Sequence, residues 1–186
     1  MIVRSVDEVR QRPFRAQRQL RTEWCWAALC NSVEHFFDGT SGRTQCEIVG
    51  RLLHEHCCGE LQPEQVKQCN RPHFLDRALN EFGWLAVPEI RRPIDFDRLR
   101  AEIDNGRPVC LFIGWLDDDG NVSGGHFIAI KGYKIADDGE KFVSIEDPLW
   151  EDYDISWDVL RARRGGYRDG RGRWDRTILV RDARAQ

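Results

Sequence analysis

The apolar residues of this chain change their spacing about halfway along, and this change constrains the fold more than any other feature. In the first half they recur at helical intervals, which predicts helices at about residues 22–37, 46–56, 73–82 and 95–105. In the second half they form short continuous or alternating runs, which predict strands at about residues 108–114, 126–133, 141–146 and 176–180. Because helices and strands are segregated along the chain, the predicted class is α+β.

Length and charge limit the classes of function. The chain has 186 residues, enough for one domain or for two small lobes that share a core. Its formal net charge of -3 gives no reason to expect nucleic acid or an anionic membrane as a partner. The first twenty residues lack the unbroken apolar run of a secretory signal, and no segment approaches the length of a membrane-spanning helix. We therefore expect a cytoplasmic protein, or one exported without a cleavable signal peptide.

Cys25 is the candidate nucleophile because it lies near the start of the first predicted helix. A thiol becomes a strong nucleophile as its thiolate, and both a helix N-terminus and a neighbouring imidazolium favour that form. Thr22 is the predicted N-cap of this helix. The alternative is that Cys25 is an ordinary core thiol, since free cysteine is often buried.

His126 is the candidate base, and Asp147 is the candidate for orienting it. His126 begins an apolar strand directly after Gly124 and Gly125, where the absence of side chains allows a substrate backbone to approach closely. Asp147 ends the next strand, so a hairpin of the two strands would place both side chains at one edge. Trp150 could then shield their hydrogen bond from water.

Each of these assignments has an alternative. His126 could be an ordinary strand-end histidine, and Asp147 could begin an Asp-Pro turn. Three other carboxylates could replace Asp147, namely Glu146, Asp152 and Asp154.

An attacked carbonyl also needs donors for the oxyanion that forms on it. The backbone N–H of Cys25 is one candidate donor. A glutamine side chain upstream is another, and Gln17 and Gln19 both qualify. We prefer Gln19, six positions before Cys25.

These motifs together resemble the papain-like cysteine peptidase superfamily. Gln19, Cys25 followed by Trp-Ala, His126 preceded by Gly, and Asp147 occur in the order that is typical of that superfamily. The Trp-Cys-Trp-Ala-Ala segment is most similar to bacterial members, which include effector proteases of plant pathogens and peptidases that cut double-glycine leaders. The resemblance covers residues 17 to about 150, most of the chain.

The resemblance implies a fold and a site. It implies one papain-like domain over residues 1–186, with a helical lobe at about 17–106, an antiparallel β lobe at about 107–186, and the cleft between them. It also implies a triad with Gln19 as oxyanion donor; Asp147 stands where papain itself has Asn. The implied catalytic residues are Cys25, His126, Asp147 and Gln19, and the candidate substrate-binding residues are Trp24, Gly124, Gly125 and Trp150.

The function expected from this resemblance is hydrolysis of peptide bonds through an acyl-thioester on Cys25. The chain would be a bacterial effector, toxin, defence or maturation protease, with a protein or peptide substrate and an immunity or regulatory protein as a further partner. No cofactor and no metal is expected. The alternatives are use of the same triad for deamidation, transglutamination or isopeptide cleavage, or an inactive binding module.

Two further segments are left open by the sequence. Four cysteines crowd into residues 46–69, where free thiols, disulfides or a zinc site are all conceivable, although the paired knuckles typical of zinc are missing. The residues concerned are Cys46, Cys57, Cys58 and Cys69, with His54 and His56. Residues 161–186 hold an excess of arginine, which indicates a solvated basic face, because only Tyr167 and Trp174 interleave as aromatics.

Overall fold

A computed structural model describes residues 6–163, 165–168 and 170–184, and its helices and strands are as follows. The helices are α1 (Cys25–Phe37), α2 (Gln45–Leu53), α3 (Pro63–Cys69), α4 (Leu75–Glu81), α5 (Phe96–Asp104) and α6 (Trp157–Leu160). The strands are β1 (Val6–Gln11), β2 (Val109–Leu116), β3 (Val122–Ala136), β4 (Lys141–Glu146), β5 (Tyr153–Ser156) and β6 (Gly172–Leu179). Most helices precede most strands, so the predicted α+β class is confirmed.

The strands form one antiparallel sheet around the long strand β3. The order across the sheet is β5-β4-β3-β2-β6, and β1 also pairs with β3. β2 pairs with residues 122–130 of β3, and β1 continues along the same edge with residues 132–136. β4 occupies the other edge of β3, which confirms the predicted hairpin between these two strands.

The sheet separates two hydrophobic cores. Successive side chains of a strand point to opposite faces. Phe127 and Ala129 of β3 therefore pack in a first core with α1, α2 and α4, whereas Ile128 and Ile130 pack in a second core with α5 and α6. β2 alternates in the same way, with Cys110 in the first core.

Helix α1 is the central element of the first core. Its buried positions recur at helical spacing, with Trp26, Leu29, Cys30 and Val33 all inaccessible to solvent. The helix ends before Asp38, as predicted, but it begins at Cys25 and has Trp24 at the N-cap. The predicted N-cap Thr22 was therefore wrong.

The reason is a competing hydrogen bond. The Thr22 hydroxyl accepts a hydrogen bond from the Asn70 side chain, at 2.8 Å. A hydroxyl engaged in this contact lies outside the helix, and the structure shows no side-chain cap on α1.

The four crowded cysteines form two disulfides, Cys46–Cys58 and Cys57–Cys69. These bridges connect α2, the segment after it and the end of α3. A disulfide sulfur is not available as a thiolate ligand, and the described ranges contain no group of side chains arranged to hold a metal ion.

None of the helices within the described ranges is both long enough and apolar enough to cross a lipid bilayer.

Candidate active site

Cys25 is the first residue of α1, where the backbone N–H groups of the first turn have no partner within the helix. It is one of three cysteines outside the disulfides, and it is partly exposed whereas Cys30 and Cys110 are buried. Burial, followed by the charge of Glu34, raises the pKa of Cys30 well above its ordinary value, and burial raises the pKa of Cys110 to about 12. Cys25 is therefore the free thiol that a reagent or substrate can reach.

The segment that follows α3 holds the chain on both sides of Cys25. The indole N–H of Trp24 donates a hydrogen bond to the Cys69 carbonyl oxygen, at 2.8 Å, where α3 ends. The backbone N–H of Glu23 donates to the Asn70 side-chain oxygen at 3.0 Å. The indole N–H of Trp26 donates to the Arg71 carbonyl oxygen at 3.2 Å. Trp24 is only 2% exposed, so the structure places this predicted substrate contact in the first core and leaves its ring almost no surface for a substrate.

His126 and Asp147 meet at one edge of the β3–β4 hairpin. Nε2 of His126 lies 2.8 Å from Oδ1 of Asp147, and both side chains are buried. Asp147 follows directly after β4, so strand pairing brings its carboxylate beside the imidazole although the two residues are 21 positions apart. The structure thus brings together the two residues that the sequence paired.

Other groups besides His126 hold the Asp147 carboxylate in place. Oδ1 also accepts hydrogen bonds from the backbone N–H groups of Leu149 at 2.8 Å and Trp150 at 3.1 Å, and Oδ2 accepts one from the Tyr167 hydroxyl. Burial raises the pKa of Asp147. The hydrogen bond and the charge of His126, with the hydrogen bond from the Tyr167 hydroxyl, lower it by a larger amount, so the net pKa lies below its usual value. The carboxylate is therefore ionised near neutral pH.

The three alternative carboxylates contact other groups. Asp152 accepts a hydrogen bond from the Asp147 backbone N–H at 3.2 Å, and Asp154 accepts one from Ser144 at 2.6 Å. Glu146 pairs with Arg15 and Lys131.

His126 is surrounded by groups that stabilise its charged form. Burial alone lowers the pKa of His126, but the hydrogen bonds to Asp147 and to Cys25, with the charges of both partners, raise it to about 9. Since Asp147 contacts Nε2, Nδ1 is the nitrogen left for Cys25. The ring of Trp150 contacts the imidazole edge to face at 5.1 Å, and that of Trp115 lies parallel to it at 6.3 Å. Both indoles shield the His126–Asp147 hydrogen bond from water.

The two candidate glutamines have different surroundings. The Gln17 side chain contacts His35 at 3.3 Å and Gln45 at 3.3 Å, within the helical part of the molecule. The Gln19 side chain lies just before α1, where its amide nitrogen donates to the carbonyl oxygens of Arg21 at 2.9 Å and Thr22 at 2.7 Å. Oε1 of Gln19 is buried and has no hydrogen-bond partner among the described residues.

A cavity of about 500 Å³ opens beside Cys25. Gly124 and Gly125 form part of its wall, as predicted for residues that face a substrate backbone, and aromatic side chains supply much of the rest. A Cβ atom on Gly125 would lie 2.1 Å from the Phe112 ring and 2.8 Å from the Ile113 carbonyl oxygen, so only glycine fits there.

Several residues of the site were not identified from the sequence. Phe112 lies on β2, for which the sequence predicted only a buried strand, and Trp115 of the same strand was predicted to lie in the core or at the rim of the cleft. Tyr167 lies in the arginine-rich segment that the sequence assigns to a solvated face, yet its side chain is fully buried against Asp147. The one signal in the sequence is that Tyr167 is an aromatic residue in a segment otherwise made of glycine and charged residues.

The chain matches a known protein family over most of its length. A family model described as papain-like cysteine protease AvrRpt2 matches residues 7–158. No curated protein matches the chain significantly. Among solved structures, the crystal structure of SERA5E from Plasmodium falciparum is similar, with 9% sequence identity and a TM-score of 0.47 over 90% of this chain and 89% of that one.

Proposed function

Because the chain belongs to the AvrRpt2 family of papain-like cysteine proteases, we propose that it hydrolyses peptide bonds with Cys25 as nucleophile, His126 as general acid and base, and Asp147 as the residue that orients His126. Membership of this family confirms the predicted papain-like fold and cysteine peptidase class. The assignment of the three residues is supported above all by one observation: the buried imidazole of His126 lies 2.8 Å from the Asp147 carboxylate and close enough to the free thiol of Cys25, at a helix N-terminus, for both groups to raise its pKa.

The reaction that this arrangement favours begins with a thiolate–imidazolium pair. The Cys25 thiolate attacks the carbonyl carbon, and the carbonyl π electrons move to the oxygen. When the tetrahedral intermediate collapses, the C–N bond breaks and the His126 imidazolium donates its proton to the departing amine. His126 then removes a proton from water, which attacks the thioester and releases the acid and the Cys25 thiolate.

Asp147 contributes orientation and charge. Its hydrogen bond fixes which nitrogen of His126 faces Cys25, and its negative charge stabilises the imidazolium that precedes attack. Because the carboxylate is buried and saturated with donors, it is positioned before substrate arrives.

The oxyanion is assigned to the backbone N–H of Cys25 and the side chain of Gln19. The Gln19 amide is already engaged with two backbone carbonyl oxygens. Service as an oxyanion donor therefore requires Gln19 to exchange one of these hydrogen bonds when the intermediate forms.

As a protease, the chain acts on protein or peptide substrates, and we further propose that it works as a secreted bacterial effector. Two observations support this role: the family is described by an effector protease, and the chain carries two disulfides, which persist in oxidising compartments. It stays a prediction that the chain acts as a toxin, a defence protease or a maturation protease. The existence of an immunity or regulatory partner also stays a prediction, as does the place of action in or outside the cytoplasm.

The first experiment compares the wild-type protein with Cys25→Ala on a peptide library prepared from a whole proteome. Mass spectrometry should find new N-termini only with the wild-type protein. The three remaining alternatives leave different products: deamidation converts an amide to an acid without a new terminus, transglutamination joins an amine, and isopeptide cleavage frees a lysine side chain. New termini that are equally abundant with Cys25→Ala would refute the proposal.

A second measurement tests the reactive pair without any substrate. Cys25 should react with iodoacetamide at pH 6, where an ordinary thiol is largely protonated. Peptide mapping separates it from the buried Cys30 and Cys110, which should stay unlabelled. The His126→Ala variant should lose the low-pH reaction, because the imidazolium that stabilises the thiolate is absent.

A further inference from the structure

We propose that Tyr167 is a positioning residue of the catalytic centre, whose hydroxyl holds the Asp147 carboxylate in the orientation that His126 requires. The proposal rests on the catalytic role of His126 and Asp147 proposed above. It makes the segment around Tyr167 part of the active site, although the region matched by the family model ends at residue 158.

The distribution of donors around Asp147 is the first support. Oδ1 accepts from His126 and from two backbone N–H groups, whereas the donor to Oδ2 among the described residues is the Tyr167 hydroxyl. Asp147 is 1% exposed, so water does not replace a missing donor. Loss of the hydroxyl would leave a buried carboxylate oxygen without a partner, and rotation of the carboxylate to relieve this would break its alignment with His126.

The backbone around Tyr167 is built to hold the side chain in place. Tyr167 pairs with Gly172 through two backbone hydrogen bonds, of 2.9 and 3.0 Å. Gly172 begins β6, which pairs with β2 beside the strand of His126. A Cβ atom on Gly166 would lie 1.6 Å from the Val159 carbonyl oxygen, so the segment packs too closely there for any other residue.

The neighbouring Arg168 covers the same region. Its guanidinium lies 5.0 Å from the ring centres of both Trp150 and Tyr153 and 5.6 Å from that of Tyr167. Trp150 in turn contacts His126, so residues 167 and 168 together close one side of the His126–Asp147 pair.

The protonation state of Tyr167 suits a permanent donor. Burial and the charge of Asp147 raise the pKa of Tyr167 far above its ordinary value. The hydroxyl therefore keeps its proton throughout the pH range in which the enzyme can be tested.

The test compares Tyr167→Phe with a matched control, Tyr133→Phe. Tyr133 is also fully buried and belongs to the same second core, but its hydroxyl donates to the Asp104 carboxylate at the end of α5, at 3.0 Å, instead of to Asp147. Both variants lose a hydroxyl that donates to a carboxylate, which is partly exposed at Asp104 and buried at Asp147. A purely structural role for Tyr167 therefore predicts the same behaviour for both.

Three readouts separate the two roles. Tyr167→Phe should lower kcat by about ten-fold with little change in KM, because the lost hydrogen bond is one to a charged group of the centre. It should lower the pH at which Cys25 loses its enhanced reaction with the anionic reagent iodoacetate, because a released carboxylate stabilises the His126 imidazolium, which attracts that reagent, less well. It should also shift the downfield N–H proton resonance of His126 in the NMR spectrum, and Tyr133→Phe should change none of the three.

A loss of iodoacetate reactivity that occurs at the same pH as in the wild-type protein, or at higher pH, would overturn the proposal, as would an unchanged His126 resonance. Alkylation and NMR need no substrate, so they test Tyr167 even if the wild-type protein cleaves no peptide and the proposed function fails. If Tyr167→Phe does not fold, 3-fluorotyrosine at position 167 keeps the packing and strengthens the donor. The His126 resonance must then move, and an unmoved resonance overturns the proposal.

Discussion

Removal of the Cys57–Cys69 disulfide should weaken both the fold and the reactivity of Cys25. The bridge fixes the end of α3, and the residues that follow it hold Trp24, Glu23 and Trp26 around the nucleophile. The double variant Cys57→Ala/Cys69→Ala removes this anchor and leaves Cys25 in place.

The magnitude follows from the length of the closed loop. A bridge with a sequence separation of 12 restricts the unfolded chain by about 3 kcal/mol at 25 °C. Both sulfur atoms also lie in the first core, where replacing them by hydrogen adds about 1 kcal/mol or more. The free energy of unfolding should therefore fall by about 4 kcal/mol, a large part of the stability of an ordinary domain.

The second disulfide provides a matched control. Cys46–Cys58 has the same sequence separation of 12, but its sulfur atoms are only partly buried and it does not reach the residues that hold Cys25. Cys46→Ala/Cys58→Ala should cost about 3 kcal/mol from loop closure alone. It should leave the alkylation rate of Cys25 near the wild-type value, whereas the first double variant should lower that rate roughly ten-fold.

Urea unfolding followed by tryptophan fluorescence measures both free energies, and timed alkylation with peptide mapping measures the rate. A loss below about 1 kcal/mol in both double variants would refute the loop-closure reasoning. Equal slowing of alkylation in the two variants would refute the claim that the Cys57–Cys69 bridge acts locally on Cys25.

Three further predictions concern pH, the cleft and a buried charge. The pKa of His126 in the folded protein is about 9, against an ordinary value of 6.5. Its contribution to stability is therefore complete below pH 6.5 and disappears as pH rises to 9. Urea unfolding should show a loss of about 3 kcal/mol over that window, and the His126→Ala variant should not show this loss. Gly125→Ala should lower the free energy of unfolding by about 1–3 kcal/mol, because its Cβ would overlap the Phe112 ring. Gly124→Ala, whose Cβ would meet a ring carbon at 3.7 Å, should unfold at a urea concentration near that of the wild-type protein, and equal losses of stability would contradict the packing argument. Glu146→Gln should lower the free energy of unfolding in urea by about 3 kcal/mol, because two cations lose their buried partner. Glu64→Gln, in an exposed pair, should lower it by less than about 0.5 kcal/mol. Similar losses in the two variants would show that burial of the ion pair does not matter here.

The elements that the sequence predicted well are those with a strong apolar period. β4 was predicted with its observed bounds from the alternation of its apolar residues, although the polar residues between them, Ser144 and Glu146, are buried as well. α1 was located correctly except for its start, which depends on a contact between Thr22 and a residue 48 positions away. A local capping rule does not contain that information.

The elements that were missed depend on tertiary contacts. α3 has one buried residue, Cys69, and owes its place to a disulfide, whose pairing the sequence left open. β5 has four residues and one buried side chain, too few for a period to be recognised. Tyr167 was missed because its partner, Asp147, is contributed by a different part of the sheet.

The alternation of β3 between two cores has a consequence for how such a protein can change. His126 shares a face with Ile128 and Ile130, while Phe127 belongs to the opposite face. Insertion or deletion of one residue within this strand would place Phe127 where the imidazole stands and would exchange the side chains of both cores. Selection for a stable fold therefore helps to keep the base in register, and near His126 a change of length is accommodated more readily in the turns at either end of β3 than within the strand.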